Sequence, residues 1–312
     1  MQHFNNILVG VDLSHGDRIC NEQLNPPTLE AVKSAIWLAN HLSAEVTFMA
    51  VLELSPQTQD LLDKTEDHHG DVLEVAQDVL DKLVAQAEQA GVRAKSKFAI
   101  GKDWLELIKQ VVRGNHDLLI VGTRHASRTS RLLFGSAAMK LIRKCPSPVW
   151  VTKPADDSDE YRIMVPSDFT DVSQHALDIA VNGGQLTDTR LYLNHVLDVK
   201  GGWLWNKQLS EADLEQEKDN AEQKLREQLS KTDYRTLTYG VQVEVLVGKP
   251  EERIPQAIQE NNIDLLVMGT LGRYGIPGML IGNTTERLLP ELTCSLLAIK
   301  PEGFESPVQV AD

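Results

Sequence analysis

The feature that most constrains this chain is an internal repeat. Residues 117–154 and residues 264–301 superpose without a gap at an offset of 147 residues. Asp117 falls on Asp264, Gly122 on Gly269, Gly135 on Gly282, and Lys153-Pro154 on Lys300-Pro301; upstream, Gly101 falls on Gly248. The starts of the halves also correspond, NILVGVDLS from Asn6 and YRIMVPSDFT from Tyr161, each a short apolar run leading to an aspartate. A chain of 312 residues is long enough for two domains, and the repeat makes them two copies of one domain. The join is Pro154 followed by ADDSDE, which reads as an exposed linker. The expected organisation is therefore residues 1–154, a linker at 155–160, residues 161–302 and a tail at 303–312.

Within each half, apolar runs alternate with longer helical patterns. Strands are expected near 6–12, 45–53, 93–100, 117–122 and 148–152, and again near 161–166, 190–197, 240–247, 264–269 and 295–299. Helices are expected near 28–42, 71–90, 103–113 and 135–144, and again near 171–182, 208–230, 251–261 and 283–291. Over 71–90, Val72, Val75, Val79, Leu80 and Leu83 share a face. Strands rich in Val, Ile and Leu without alternation are buried on both sides, so the fold class is α/β, two tandem doubly wound parallel sheets. In such sheets ligands lie beyond the carboxyl ends of the strands, where the strand order reverses.

Composition narrows the function classes. With 31 basic and 45 acidic residues the net charge is −14, which argues against nucleic acid as a partner. No apolar run approaches the ~18 residues of a membrane span, and the N-terminus lacks the basic and apolar regions of a secretory signal. Cys20, Cys145 and Cys294 are odd in number and far apart, which suits neither a disulfide framework nor a zinc knuckle and points to a cytoplasmic setting.

The chemistry concentrates after the fourth strand of the second half. Gly269-Thr270-Leu271-Gly272, nine residues, then Gly282-Asn283-Thr284-Thr285 opens a helix. Glycines allow close backbone approach to an anion, and a helix start offers unpaired N–H groups. Asp168, at the end of a neighbouring strand, can accept hydrogen bonds from a sugar or a base. A structural reading competes: the glycines serve a tight loop and Thr284 or Thr285 caps a helix.

Together these residues resemble a tandem universal stress protein, across nearly the whole chain and twice. The ATP-binding members of that family show G-x-x-G-x9-G-(S/T), matched in every glycine by Gly269, Gly272 and Gly282, with Asn283 where Ser or Thr is usual. VPSDFT, LYLNHVLDV and the closing stretch LIGNTTERLLPELTCSLLAIKPEGFESPV carry the same resemblance. It implies a Rossmann-like fold of the adenine-nucleotide-alpha-hydrolase type, with the two halves pairing through their last strands as a pseudo-dimer within one chain. It implies ATP or a related adenine nucleotide, with or without magnesium, as cofactor. Pro166, Asp168 and the backbone of Val196 would face the nucleoside, Met268 and Gly269 the ribose, and Gly272, Gly282, Asn283 and Thr284 the phosphates. A further homodimer is left open.

The first half departs from the pattern. His125 replaces the second glycine, and Arg124, Arg128 and Arg131 join the loop. About 11 extra residues follow Asp12, since Asp12 to Ala31 is 19 residues and Asp168 to Ala176 is 8. The expectation is that the first half is degenerate for ATP or takes another ligand. Elsewhere, Thr65-Glu66-Asp67-His68-His69 reads as a solvated loop without zinc spacing. His116 and His125 flank a strand without a nucleophile partner, His175 and His195 read as ordinary polar positions that could lie near the second site, and Trp203 and Trp205 as cover for their own helix, a lid or a partner-binding patch. No P-loop, dinucleotide fingerprint or C-x-x-C motif is present. The expected function is a stress-response module that binds a nucleotide without turning it over. A protein-interaction or non-nucleotide scaffold, and a slow nucleotide hydrolase, are the alternatives.

Overall fold

The computed structural model describes residues 4–13, 23–53, 68–123, 134–154, 159–198, 210–271 and 281–309, with side chains of 68–72 excepted. The chain divides into two compact units. The first holds the described residues up to Pro154 together with 305–309, and the second those from Asp159 to Phe304.

The first unit runs β1 (Asn6–Val11), α1 (Pro26–Leu42), β2 (Glu45–Leu52), α2 (His68–Gln89), β3 (Arg93–Ile100), α3 (Asp103–Gly114), β4 (Leu118–Gly122), α4 (Ser136–Lys144) and β5 (Val149–Thr152). The second repeats it: β6 (Tyr161–Pro166), α5 (Asp171–Gly184), β7 (Thr189–Leu197), α6 (Glu211–Leu229), β8 (Val241–Val247), α7 (Pro250–Glu260), β9 (Leu265–Gly269), α8 (Asn283–Leu288) and β10 (Ser295–Ile299). Strand order is β3-β2-β1-β4-β5 in the first unit and β8-β7-β6-β9-β10 in the second. Neighbouring strands are parallel throughout each order. The order reverses between β1 and β4, and between β6 and β9, and a crevice opens at the strand ends there.

The central strands are buried on both faces, as the unbroken apolar runs required. Ile7, Leu8, Leu118, Leu119, Ile120, Leu266, Val267 and Leu296 are fully covered. The outer strands differ. In β3, Arg93, Lys95 and Lys97 give an exposed-to-half-buried alternation, as suits an edge that must not recruit another strand. Repeated aspartates hold each sheet together at its lower end. Asp117 accepts from the backbone N–H of Asn5 and Asn6 (2.7 and 3.1 Å), and Asp264 from that of Arg162 (2.8 Å).

Helix limits follow local chemistry. Asn25 caps α1 by accepting from Thr28 N–H (2.8 Å), with prolines in the first turn. Ser210 and Asp213 form a capping box on α6. Helix α8 stops at Leu288, and the expected continuation to 291 is a 3-10 turn over Leu289–Glu291. Pro290 has no N–H to give to the carbonyl four residues back. Helix α2 begins at His68, so His68 and His69 are helical rather than in a loop; a first turn needs no apolar side chain, and periodicity does not register it. The covered face of α2 is Ala76, Val79, Leu80, Leu83 and Ala87. Val75 is half-buried.

Candidate functional site

The site lies in the second unit, at the carboxyl ends of β6, β7 and β9. Ladder pairing of β6 with β9 covers only Ile163–Leu265 and Met164–Leu266, whereas β1 and β4 stay paired as far as Gly10–Val121. The earlier parting of β6 and β9 leaves a cavity of about 220 Å3. Pro166, Asp168, Val196, Met268, Gly269, Gly282, Asn283 and Thr284 all line it. Gly272, predicted with them, lies outside the described residues. So do the first-half loop residues Arg124, His125, Arg128 and Arg131, and Trp203 and Trp205.

The turn after β6 is tightly wired. Ser167 N–H donates to the Asn194 carbonyl (2.7 Å). Ser167 Oγ donates to Gln228 Oε1 on α6 (2.6 Å) and accepts from Phe169 N–H (3.0 Å). Ser173 Oγ donates to the Thr170 carbonyl (2.8 Å) and accepts from Gln228 Nε2 (3.2 Å). Both serines line the cavity, and each hydroxyl has its one hydrogen committed inside the protein. Phe169 has a φ of 62°, a left-handed conformation uncommon for a bulky residue. The turn this makes leaves Asp168 exposed. Asp168 Oδ1 accepts from both the backbone N–H and the hydroxyl of Thr170, which in turn caps α5.

Opposite stands the start of α8. Gly282 is its N-cap and provides no side-chain cap, so the first-turn N–H groups of Asn283, Thr284 and Thr285 have no partner within the helix. The N–H of Gly282 itself is engaged, donating to the Thr270 carbonyl (2.7 Å). The cavity is therefore polarised: donors at the α8 end, acceptors at the β6–β7 end. Val196, Pro250, Ile254, Met268 and Leu271 give it apolar walls.

The glycines differ in what they do. A Cβ on Gly269 would stand 2.7 Å from Val172 Cγ1, so close packing of α5 on β9 already requires glycine there. Gly122 is bound the same way, its Cβ falling 2.6 Å from the Pro27 backbone. Gly282 is different. Its φ of −74° suits any residue, and a Cβ would meet its nearest atom, the Thr270 carbonyl oxygen, at 3.4 Å. Among the described residues nothing demands a missing side chain at 282, which lines the cavity.

Pro250 and Ile254 escaped the sequence reading: they reach the site from α7, across the sheet order, and no local spacing announces them. His195, one of two histidines the sequence allows near the second site, lines the cavity. Its Nδ1 lies 2.7 Å from the Ser167 carbonyl oxygen, which can only accept, so Nδ1 carries the hydrogen. Phe169 packs on its ring with centroids 4.3 Å apart. Burial holds its pKa below the ordinary imidazole value, opposed by the Ser167 bond and by Asp168, while Lys224 adds to the lowering. His175 is not among the cavity residues. In the first unit, His116 is buried and accepts from Gln110 Nε2 (3.0 Å), so it serves the core.

The corresponding strand end of the first unit is arranged otherwise. Thirteen residues separate Asp12 from the α1 cap Asn25, where two separate Asp168 from the α5 cap Thr170. Asn25 Nδ2 reaches back to Asp12 Oδ2 (3.4 Å).

Tandem doubly wound units with a crevice at the end of the fourth strand match the model of the universal stress protein family over residues 3–153 and 161–300. The chain belongs to that family. Among full-length relatives, "Universal stress protein E" of Photorhabdus laumondii is 26% identical over 329 aligned residues, covering 100% of this chain and 99% of that protein. "Universal stress protein E" of Escherichia coli K12 is 25% identical at the same coverage. In fold, the chain resembles a universal stress protein from Archaeoglobus fulgidus, with a TM-score of 0.66 and 21% identity over 96% of this chain and 99% of that one. No helix of the described residues is long and apolar enough to cross a membrane.

Proposed function

We propose that the second unit binds ATP or a related adenine nucleotide, and that the protein acts as a ligand-responsive module of the stress response. The observation that carries this reading is the polarised cavity. Phosphates are anionic acceptors and suit the free N–H groups of Asn283, Thr284 and Thr285 at the positive end of α8. A nucleoside is flat, largely apolar on its faces and rich in donors at its edges. It suits the Val196–Met268–Ile254 walls and the acceptors at the other end. Gly282, free of any packing duty, lets the phosphate chain approach the backbone. Magnesium would arrive on the phosphates, since no group of three or more His, Cys, Asp or Glu able to hold a metal ion occurs among the described residues.

The role of the chain's own residues is binding and orientation. His195 is the only imidazole at the cavity among the described residues, and its Nδ1–H is committed to Ser167. A slow nucleotide hydrolase stays the second alternative. One observation favours the scaffold alternative: Gly269 is explained by packing alone. A cytoplasmic home accords with Cys145 and Cys294, both buried and in no disulfide among the described residues. Calorimetric titration of ATP into wild type and Gly282→Trp tests the proposal. A saturable heat that the variant loses supports it; no heat, or an affinity unchanged in the variant, refutes it.

A further inference from the structure

We propose that Gln228 is a positioning residue of the second-unit cavity, its side-chain amide holding the turn that presents Asp168 to the nucleoside, a role that rests on the nucleotide reading and deepens it. Gln228 lies outside every motif of the sequence and 61 residues from Ser167.

Gln228 stands in the last turn of α6 and is buried, as are Ser167 and Ser173. One amide bridges the two hydroxyls. Its Oε1 accepts from Ser167 Oγ (2.6 Å), and its Nε2 donates to Ser173 Oγ (3.2 Å). Each serine passes the constraint on to the turn. Ser167 Oγ accepts from Phe169 N–H (3.0 Å), and Ser173 Oγ donates to the Thr170 carbonyl (2.8 Å). Thr170 donates through both its N–H and its hydroxyl to Asp168 Oδ1. Among the described residues none hydrogen-bonds Asp168 Oδ2, which leaves it to a ligand, together with the Val196 backbone at the same end of the cavity.

The turn needs such a hold. Phe169 has a φ of 62°, and a bulky residue stays in the left-handed region only where its surroundings over-determine it. The bonds on its two sides, at Ser167 and at Thr170, both lead back to Gln228. The two serine hydroxyls also lie 3.1 Å from one another, so they can pair without the amide. That pairing fixes their separation and not their place against α6. Lys224 of α6 lies over the Phe169 ring, 5.6 Å from its centroid, but among the described residues only Gln228 hydrogen-bonds from α6 to the turn.

Packing alone does not call for an amide at this position, and a buried amide is costly unless its bonds are made. The first unit buries Ala76, Val79, Leu80, Leu83 and Ala87 on α2, and no polar residue among that helix's described side chains. Val11 precedes Asp12 where Ser167 precedes Asp168. Serine and amide are thus both missing from the unit whose strand end is arranged otherwise.

The test uses the full chain and Gln228→Met, which keeps the length and packing of the side chain and removes both hydrogen bonds. ATP and inorganic tripolyphosphate are titrated by calorimetry, and hydrogen exchange without ligand is followed over residues 166–173. Tripolyphosphate reports on the α8 end of the cavity and not on Asp168. The variant should bind ATP about fivefold or more weakly and tripolyphosphate within about twofold of wild type. It should also exchange faster over 166–173. Equal weakening of both ligands would make Gln228 a general packing residue and overturn the inference. So would an undiminished ATP affinity, or a loss of ATP with exchange over 166–173 unchanged. Should wild type hold tripolyphosphate too weakly to measure, ATP affinity and exchange decide together. Should Gln228→Met fail to fold, Ser173→Ala takes its place, because it cuts the link between the amide and Thr170; the same selective loss is expected, and its absence contradicts the inference. No binding of ATP by wild type would instead remove the nucleotide reading, and the positioning role with it.

Discussion

Two glycines of one motif should respond in opposite ways to a side chain. In Gly269→Ala the new methyl stands 2.7 Å from Val172 Cγ1 on α5. Val172 is buried, β-branched and helical, so it has one strongly preferred rotamer and cannot swing away cheaply. Helix α5 must shift, or the valine must leave its rotamer, and overpacking of this kind costs about 1–3 kcal/mol. In Gly282→Asp the Cβ has room and the backbone needs no positive φ. Aspartate is a favoured N-cap that accepts from the free first-turn N–H groups, complements the helix dipole and restricts the unfolded chain. That variant should fold as stably as wild type, or up to about 1 kcal/mol more so. Yet it should lose ATP: a carboxylate roughly 5 Å from a phosphate charge costs about 3 kcal/mol at an effective dielectric near 20, about a hundredfold in affinity. Urea denaturation and calorimetry on both variants read the two effects separately. Neutral stability in Gly269→Ala, or a Gly282→Asp protein that binds ATP as wild type does, would refute the division of labour between the two positions.

Other consequences follow from the same geometry. Gly122→Ala should destabilise more than Gly269→Ala, because its Cβ would strike the Pro27 backbone rather than a side chain; urea midpoints of the two variants decide. Asn25→Ala removes the α1 cap and the reach to Asp12, for a loss of about 1 kcal/mol in denaturation. His116 has its pKa pushed down to about 4 by burial and by Lys95 and Lys97. Between about pH 6.5 and pH 4 the unfolded chain therefore binds a proton that the folded chain refuses, so stability falls as pH falls through that window. The His116 contribution is about 2 kcal/mol lost between pH 7 and pH 5. Urea curves at the two values should show that loss in wild type and a shallower dependence in His116→Leu.

The architecture was largely legible because a repeat constrains twice. Each apolar run of the first half had a counterpart in the second, the last three at an offset of 147 residues, and the alternation of runs with helical patterns left few topologies. The strand β3 was placed at its observed bounds, although RAKSKFAI alternates as an edge does and not as a strand buried on both faces. The early stop of α8 was written in Pro290, which periodicity alone passes over. At the site, the residues carried by the family resemblance, Gly272 apart, line one cavity, but a motif does not say why each residue is there. Gly269 belongs to helix packing as much as to any ligand, and only the distance to Val172 shows it. Sequence placed both His175 and His195 near the site without separating them; the bond of His195 to Ser167, 28 residues away, is what separates them. Pro250 and Ile254 arrive from α7, and contacts of that range have no signature in local sequence.

Native mass spectrometry of the full chain at saturating ATP bears most directly on the central claim, that the second unit alone provides the nucleotide site. One nucleotide per chain is expected, and a much smaller fraction loaded for Gly282→Asp at the same ATP concentration. A chain that carries two nucleotides, or carries one undiminished in that variant, would contradict it.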